Sequence, residues 1–185
     1  AALAFLARKQ GDTFGLFVVN DRQIQSILPR FEQQQFIRFL TALVAAKSEG
    51  VWEKSKGIEH LFDHHGKEMI IFITDLYDDG NDIQQFISRL KTKRNEVIVF
   101  HLMGSHETQF DFDGSFTFED LETGVRTKAD SHMQQADYRE RMQTWLTHSR
   151  SWMLEKQINY QLVQLNEPVE EVLRNFLTVR KRLVR

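Results

Sequence analysis

The chain has no cysteine and only two prolines, Pro29 and Pro168. Without cysteine there are no structural disulfides, thiolate zinc sites or cysteine nucleophiles, and an intracellular setting is favoured. No apolar run reaches the roughly 20 residues that a membrane-crossing helix requires, because Asp, Lys or Gln interrupts every candidate. No signal-peptide pattern is visible either. A surplus of one charge is also missing. The formal net charge of −2 gives no global field to attract nucleic acid or an anionic membrane. There is no Gly-x-x-x-x-Gly-Lys-Ser/Thr phosphate loop, no Gly-x-Gly-x-x-Gly fingerprint and no Gly-x-Ser-x-Gly nucleophile elbow. Any nucleotide hydrolysis linked to this protein would therefore belong to a separate chain.

What is present suits one soluble α/β domain. The 185 residues are 41% apolar and 27% charged, enough for a sizeable core and too apolar for disorder. The most informative stretch is Glu68 to Gly80, EMIIFITDLYDDG. Met69 to Thr74 is mostly branched or aromatic and reads as a strand buried on both faces. It ends on Asp75, and Asp78, Asp79 and Asp82 follow. Open α/β sheets place their ligand sites at the carboxyl ends of their strands, so Asp75 is the first candidate. The alternative is a carboxylate that caps the next helix or ends a strand in solvent. The Asp75, Asp78, Asp79 and Asp82 cluster misses the spacing of a calcium loop and has no Glu at its twelfth position, so a solvated acidic loop is expected.

Around this strand the pattern alternates. Ala1 to Lys9 reads as a helix stopped by Gly11, Thr13 to Val19 as a buried strand, and Gln23 to Leu28 as a short strand closed by Pro29. Glu32 to Ala46 and Glu53 to His64 read as helices, Ile83 to Lys91 as a helix, and Glu96 to Leu102 as a buried strand. Phe110, Phe112, Phe116 and Phe118 alternate, which suggests a β-hairpin turning at Asp113-Gly114. Ser131 to Glu155 reads as a long helix, Tyr160 to Leu165 as a strand, and a last helix starts at Glu167-Pro168. This order predicts a doubly wound, mostly parallel sheet with helices on both faces, a hairpin insertion and no linker. The opening AALAFLARKQG lies already inside an amphipathic pattern and lacks Met, from which we expect further residues to precede Ala1.

Other constellations carry plain structural explanations. His60, His64 and His65 with Asp63 share a helical face, but the last turn of a helix also favours imidazolium through the dipole. His101 and His106 bracket the end of a core strand and are expected to be partly exposed at its rim. Asp113 to Thr117 reads Asp-x-Ser-x-Thr at a hairpin turn, without a buried parallel strand before it. Arg174, Arg180, Lys181, Arg182 and Arg185 make the last helix basic, as dipole compensation and solubility require. Trp145 and Trp152 share a face of the long helix, for which core packing is the default.

Several strings in this order resemble a known family. ALAFLARKQGDTFGLFVVND resembles the helix, Gly-Asp turn and strand of von Willebrand factor A-like domains, and more closely those of the bacterial domain of unknown function family fifty-eight. FITDLYDD resembles that family's strand ending in Ser-Asp or Thr-Asp. FEDLETG, Phe118 to Gly124, resembles its Asp-Pro-Glu-Thr-Gly hairpin, with Leu121 where Pro is usual. Tyr138, the Ile158 to Leu165 segment and the ending LRNFLTVRKR resemble its closing elements.

The resemblance implies a Rossmann-like, von Willebrand factor A-like sheet truncated at its N-terminus, with the first central strand missing from this chain. It implies a cytoplasmic, non-catalytic adaptor working with a MoxR-type AAA+ ATPase and its client proteins. Von Willebrand factor A domains often hold Mg²⁺ through an Asp-x-Ser-x-Ser motif after the first strand, a Thr from a later loop and an Asp after the fourth strand. Of these, only Asp75 has a match here. Val51 and Trp52 stand where the Thr is expected and offer no side-chain oxygen. The resemblance thus implies no cofactor, a degenerate metal position at Asp75, and a contact rim formed by Val51, Trp52, Asp75, Asp78, Asp79 and Asp82. The alternative is an Mg²⁺-dependent ligand binder or enzyme using Asp75.

Overall fold

The computed structural model describes residues 1–19, 24–47, 52, 67–77, 80–109, 115–119 and 126–183. They belong to two compact units, Ala1–Ser55 and Lys56–Arg185.

The first unit packs two helices with a two-stranded antiparallel ladder. Helix α1 (Ala2–Gln10) ends at Gly11, whose φ of 79° turns the chain so that the Asp12 N–H folds back on the Ala7 carbonyl at 2.9 Å. This is the left-handed stop that glycine accepts without steric cost. Strands β1 (Phe14–Val19) and β2 (Ile24–Arg30) pair antiparallel. Pro29 does not close β2 as expected but lies inside it. Leu16 faces Ile27 while Phe14 faces Arg30, so Leu28 and Pro29 together oppose Gly15. A bulge has no ladder bond for proline to break. Gly15 permits the close approach, since a Cβ there would meet Pro29 Cδ at 2.9 Å. Helix α2 (Gln35–Ala45) begins three residues later than Glu32, and the Glu32 carboxylate instead pairs with Arg38 at 2.6 Å. Phe14 sits against Phe36 and Phe39 of α2 with edge-on ring geometry.

The second unit is built on three parallel strands. β3 (Met69–Thr74), β4 (Glu96–Met103) and β7 (Asn159–Gln164) lie in the order β3-β4-β7. Helix α3 (Asp82–Leu90) connects β3 to β4. Helix α4 (Ser105–Gln109), the antiparallel pair β5 (Ser115–Glu119) and β6 (Arg126–Asp130), and the 25-residue helix α5 (Ser131–Glu155) lie between β4 and β7. Helix α6 (Val169–Leu183) follows directly after Pro168. The chain is thus α/β, with a parallel sheet flanked by helices on both faces.

Residue alternation along β4 assigns those faces. Phe100 meets Phe176 of α6 at 5.1 Å between ring centres, and His101 meets Trp145 of α5 at 5.1 Å. Val97, Ile98 and Val99 are fully buried between the layers. At the amino end of β4, Arg180 forks onto Glu96 with two 2.6 Å bonds, and Asn159 Nδ2 adds a third at 2.9 Å. Both members of this ion pair remain about a third exposed. Arg180→Lys, which keeps the charge but loses the fork, is expected to cost about 0.5–1 kcal/mol in chemical denaturation.

The turn expected at Asp113-Gly114 lies outside the described residues. Glu119 pairs with Arg126, so the connection is residues 120–125. Helix α4 had no periodic signal in its five residues, SHETQ. β3 is not buried on both faces: Met69 is 48% exposed and Ile73 62% exposed. Among the described residues β3 has a strand partner on one side only. Its apolar sequence is that of an interior strand, while its observed position is at an edge. The expected helix at Glu53 to His64, with His60, Asp63, His64 and His65, lies outside the described residues.

Candidate functional site

The carboxyl end of β3 leaves the sheet through an unusual turn. Thr74 Oγ1 accepts the Leu76 N–H at 3.0 Å, and Asp75 Oδ1 accepts the Tyr77 N–H at 3.1 Å. These two successive side-chain turns explain why Thr and Asp stand at the strand's end. Between them Leu76 adopts φ 58°, a left-handed conformation uncommon for a bulky residue. Its side chain is tucked inward, at 6% exposure, while Asp75 and Tyr77 project outward, Tyr77 at 71%. The backbone therefore holds a strained conformation that displays a carboxylate and a phenol side by side. Asn81 repeats the left-handed geometry at φ 58° directly before α3.

The end of β4 is held differently. Gly104 N–H donates to Glu107 Oε2 at 2.7 Å, and Thr108 Oγ1 donates to the Ser105 carbonyl at 2.9 Å. Arg139 of α5 reaches the Gln109 carbonyl at 2.6 Å, so α4 is bound to the long helix. His106 is exposed, but His101 is not the partly exposed rim residue expected from its place near the strand end: its exposure is 0%. Strand alternation turns it toward α5, under Trp145. Its Nδ1 lies 2.7 Å from the Tyr160 hydroxyl. Burial holds the imidazole below its ordinary range, against the opposing influences of the Asp75 carbonyl and of the Asp75 and Glu107 charges. Burial also pushes the Tyr160 phenol up to about 12, so it stays protonated through the neutral range.

The candidate rim residues differ in their local settings. Asp75 is exposed at the end of β3, and Asp82 is half-buried in the first turn of α3, where a carboxylate suits the helix dipole. Trp52 is half-buried and belongs to the first unit. Val51, Asp78 and Asp79 lie outside the described residues. Asp75 commits Oδ1 to the Tyr77 N–H, and among the described residues no three His, Cys, Asp or Glu side chains converge on a possible metal position. The described donors therefore do not fit the Mg²⁺ arrangement. Tyr77 is the residue that sequence reasoning missed. Its signal was an aromatic placed two residues after the strand-ending Asp, outside the apolar run that defines the core.

On α5, Ser149 and Met153 are fully buried and Trp145 and Trp152 half-buried, so this face packs inward as expected. No helix of the described residues is long and apolar enough to cross a membrane. The family model described as Protein of unknown function DUF58 matches residues 1–151. No curated protein and no solved structure matches the chain.

Proposed function

We propose, from the premise that this chain belongs to the DUF58 family, that it is a non-catalytic interaction domain. The Asp75–Tyr77 turn is its contact point, and its partner is a MoxR-type AAA+ ATPase acting on client proteins. The observation that carries this reading is the left-handed Leu76. Backbone strain of about 1–3 kcal/mol persists where the surroundings enforce it and concentrates at functional sites. Here the product of the strain is an outward Tyr beside an outward Asp. A rigid aromatic next to a charge is the composition of an interface anchor, whereas catalysis or metal binding calls for converging polar groups. Energy for remodelling comes from the ATPase, consistent with the absence of a phosphate loop in this chain. Partnership with an ATP-consuming machine favours the cytoplasm.

The von Willebrand factor A-like assignment belongs to the same proposal. Among the described residues β3 has a strand partner on one side only, although its apolar run is that of an interior strand. This supports a further parallel strand along its other side.

The test is a pull-down with the partner ATPase, comparing Asp75→Ala, Tyr77→Ala and Trp52→Ala. Tyr77→Ala is expected to weaken binding by about 30-fold or more, the level of a hot-spot residue, and Asp75→Ala by less. Undiminished binding by both Asp75→Ala and Tyr77→Ala would remove this turn from the interface. A loss confined to Trp52→Ala would move the contact to the first unit.

A further inference from the structure

The layer between α5 and the sheet holds two polar atoms that are buried and make no hydrogen bond: His101 Nε2 and Ser149 Oγ. Both residues have zero exposure. His101 Nδ1 lies 2.7 Å from the Tyr160 hydroxyl, and the ring's edge-on neighbour is Trp145 of α5 at an interplanar angle of 85°. One imidazole thus touches the central strand, the neighbouring strand and the long helix together. We propose that His101 is an acid-sensitive latch, and that a proton on its ring loosens α5 from the sheet.

The argument starts from donors and acceptors. With the ring neutral, one nitrogen donates and the other accepts, so the Tyr160 hydroxyl can satisfy Nδ1 in either sense. With the ring protonated, both nitrogens donate. The hydroxyl must then accept, and Nε2–H becomes a charged donor with no hydrogen-bonding partner. Holding that charge in a fully buried ring is unfavourable.

The charged groups around the ring do not remove this cost. From β3 comes Asp75, and from α4 comes Glu107; both favour the protonated ring. The Asp75 backbone carbonyl also favours it, yet Nε2 makes no hydrogen bond there. From β7 comes the neutral Tyr160. From α5 come Trp145, the Arg150 charge acting on Tyr160, and Tyr138 beside Glu107. α3 meets the sheet through Phe86 on Phe72, and α6 lies against the opposite face through Phe176. Burial outweighs the Asp75 carbonyl and the two carboxylates and holds the folded ring below its ordinary range.

The sign follows from linkage. Above about pH 6.5 the ring is neutral in both the closed and the open state, and the latch is indifferent to pH. As pH falls below that value, the released ring takes a proton while the closed one does not. The opening equilibrium then rises by up to about tenfold per pH unit, until the closed ring's own pKa is reached.

The experiment is hydrogen exchange of the α5 amides from Trp145 to Met153 in the full chain, corrected for intrinsic rates. The wild type is expected to show pH-independent opening above about pH 6.5 and a rise approaching tenfold per unit below it. His101→Gln can still hydrogen-bond Tyr160 but cannot titrate, and should give a flat profile. A flat wild-type profile, or the same acid rise in His101→Gln, would overturn the latch. If His101→Gln does not fold, nitrogen NMR of the wild-type imidazole decides. A His101 titration at or above about 6.5 rejects the proposal, and a lower one supports it.

Discussion

Phe100→Ala is expected to lower the unfolding free energy of the full chain by about 3–5 kcal/mol, the range for truncating a buried aromatic. Phe100 lies in β4, the centre of the three parallel strands, between Ile73 of β3 and Gln161 of β7. Only 5% of it is exposed. Its ring meets Phe176 at 5.1 Å and 66°, an edge-on arrangement that adds about 0.5–1.5 kcal/mol beyond area burial. Domains are stable by about 5–15 kcal/mol in total, so this one change removes a large share. The matching control is Ile73→Ala. Ile73 is directly paired with Phe100 on the same sheet face, yet it is 62% exposed. If that face of β3 is open in solution, its truncation should cost under about 1 kcal/mol, as expected for a position that leaves no cavity. A loss of 2 kcal/mol or more, within the range for a buried Ile, would show that another element covers Ile73. Denaturant titration of the two variants separates the cases.

The contrast between these two residues shows how much of the fold the sequence discloses. Glu96 to Met103 and Met69 to Thr74 are equally apolar runs, and both are strands. Periodicity reports what a segment is suited to, and β4 realises it while β3, among the described residues, has a strand partner on one side only. α5 runs over the expected Ser131 to Glu155, because Gln157 at φ 57° and the strand after it leave its end well marked. Pro29 misled because proline excludes itself from regular ladders, and the bulge opposite Gly15 is invisible without the partner strand. The place of Asp75 at the end of β3 was legible because the apolar run stops at Thr74. The left-handed Leu76 was not, since nothing in LYDDG distinguishes it from a relaxed loop. His101 was placed at the rim by its position in the strand, whereas its depth depends on α5, more than 40 residues away in the chain.

The second large effect is expected at Gln35, a residue with no sequence signature. It is 2% exposed, and its Nε2 donates to the carbonyls of Phe14 and Leu28, both at 2.9 Å. These carbonyls lie at the β1–β2 bulge, where the register shifts between Phe14 and Leu16. The first turn of α2 thus supplies the donors that the interrupted ladder cannot. Gln35→Leu keeps the volume and removes both bonds. Each buried carbonyl left unsatisfied costs about 1–3 kcal/mol, so a combined loss of about 2–4 kcal/mol is expected, with water entry at the bulge setting the lower end. Gln35→Glu should be worse at neutral pH, because an ionised carboxylate can only accept and would face two carbonyl oxygens. Its penalty should shrink as the carboxyl protonates in acid, since one restored O–H donor can satisfy one carbonyl. Hydrogen exchange of the β1 and β2 amides, measured beside chemical denaturation, reads this directly. Protection should fall there in Gln35→Leu, and fall further at neutral pH in Gln35→Glu. Equal stability of the wild type and Gln35→Leu would mean that the two carbonyls are satisfied by other groups, and that the bulge does not depend on α2.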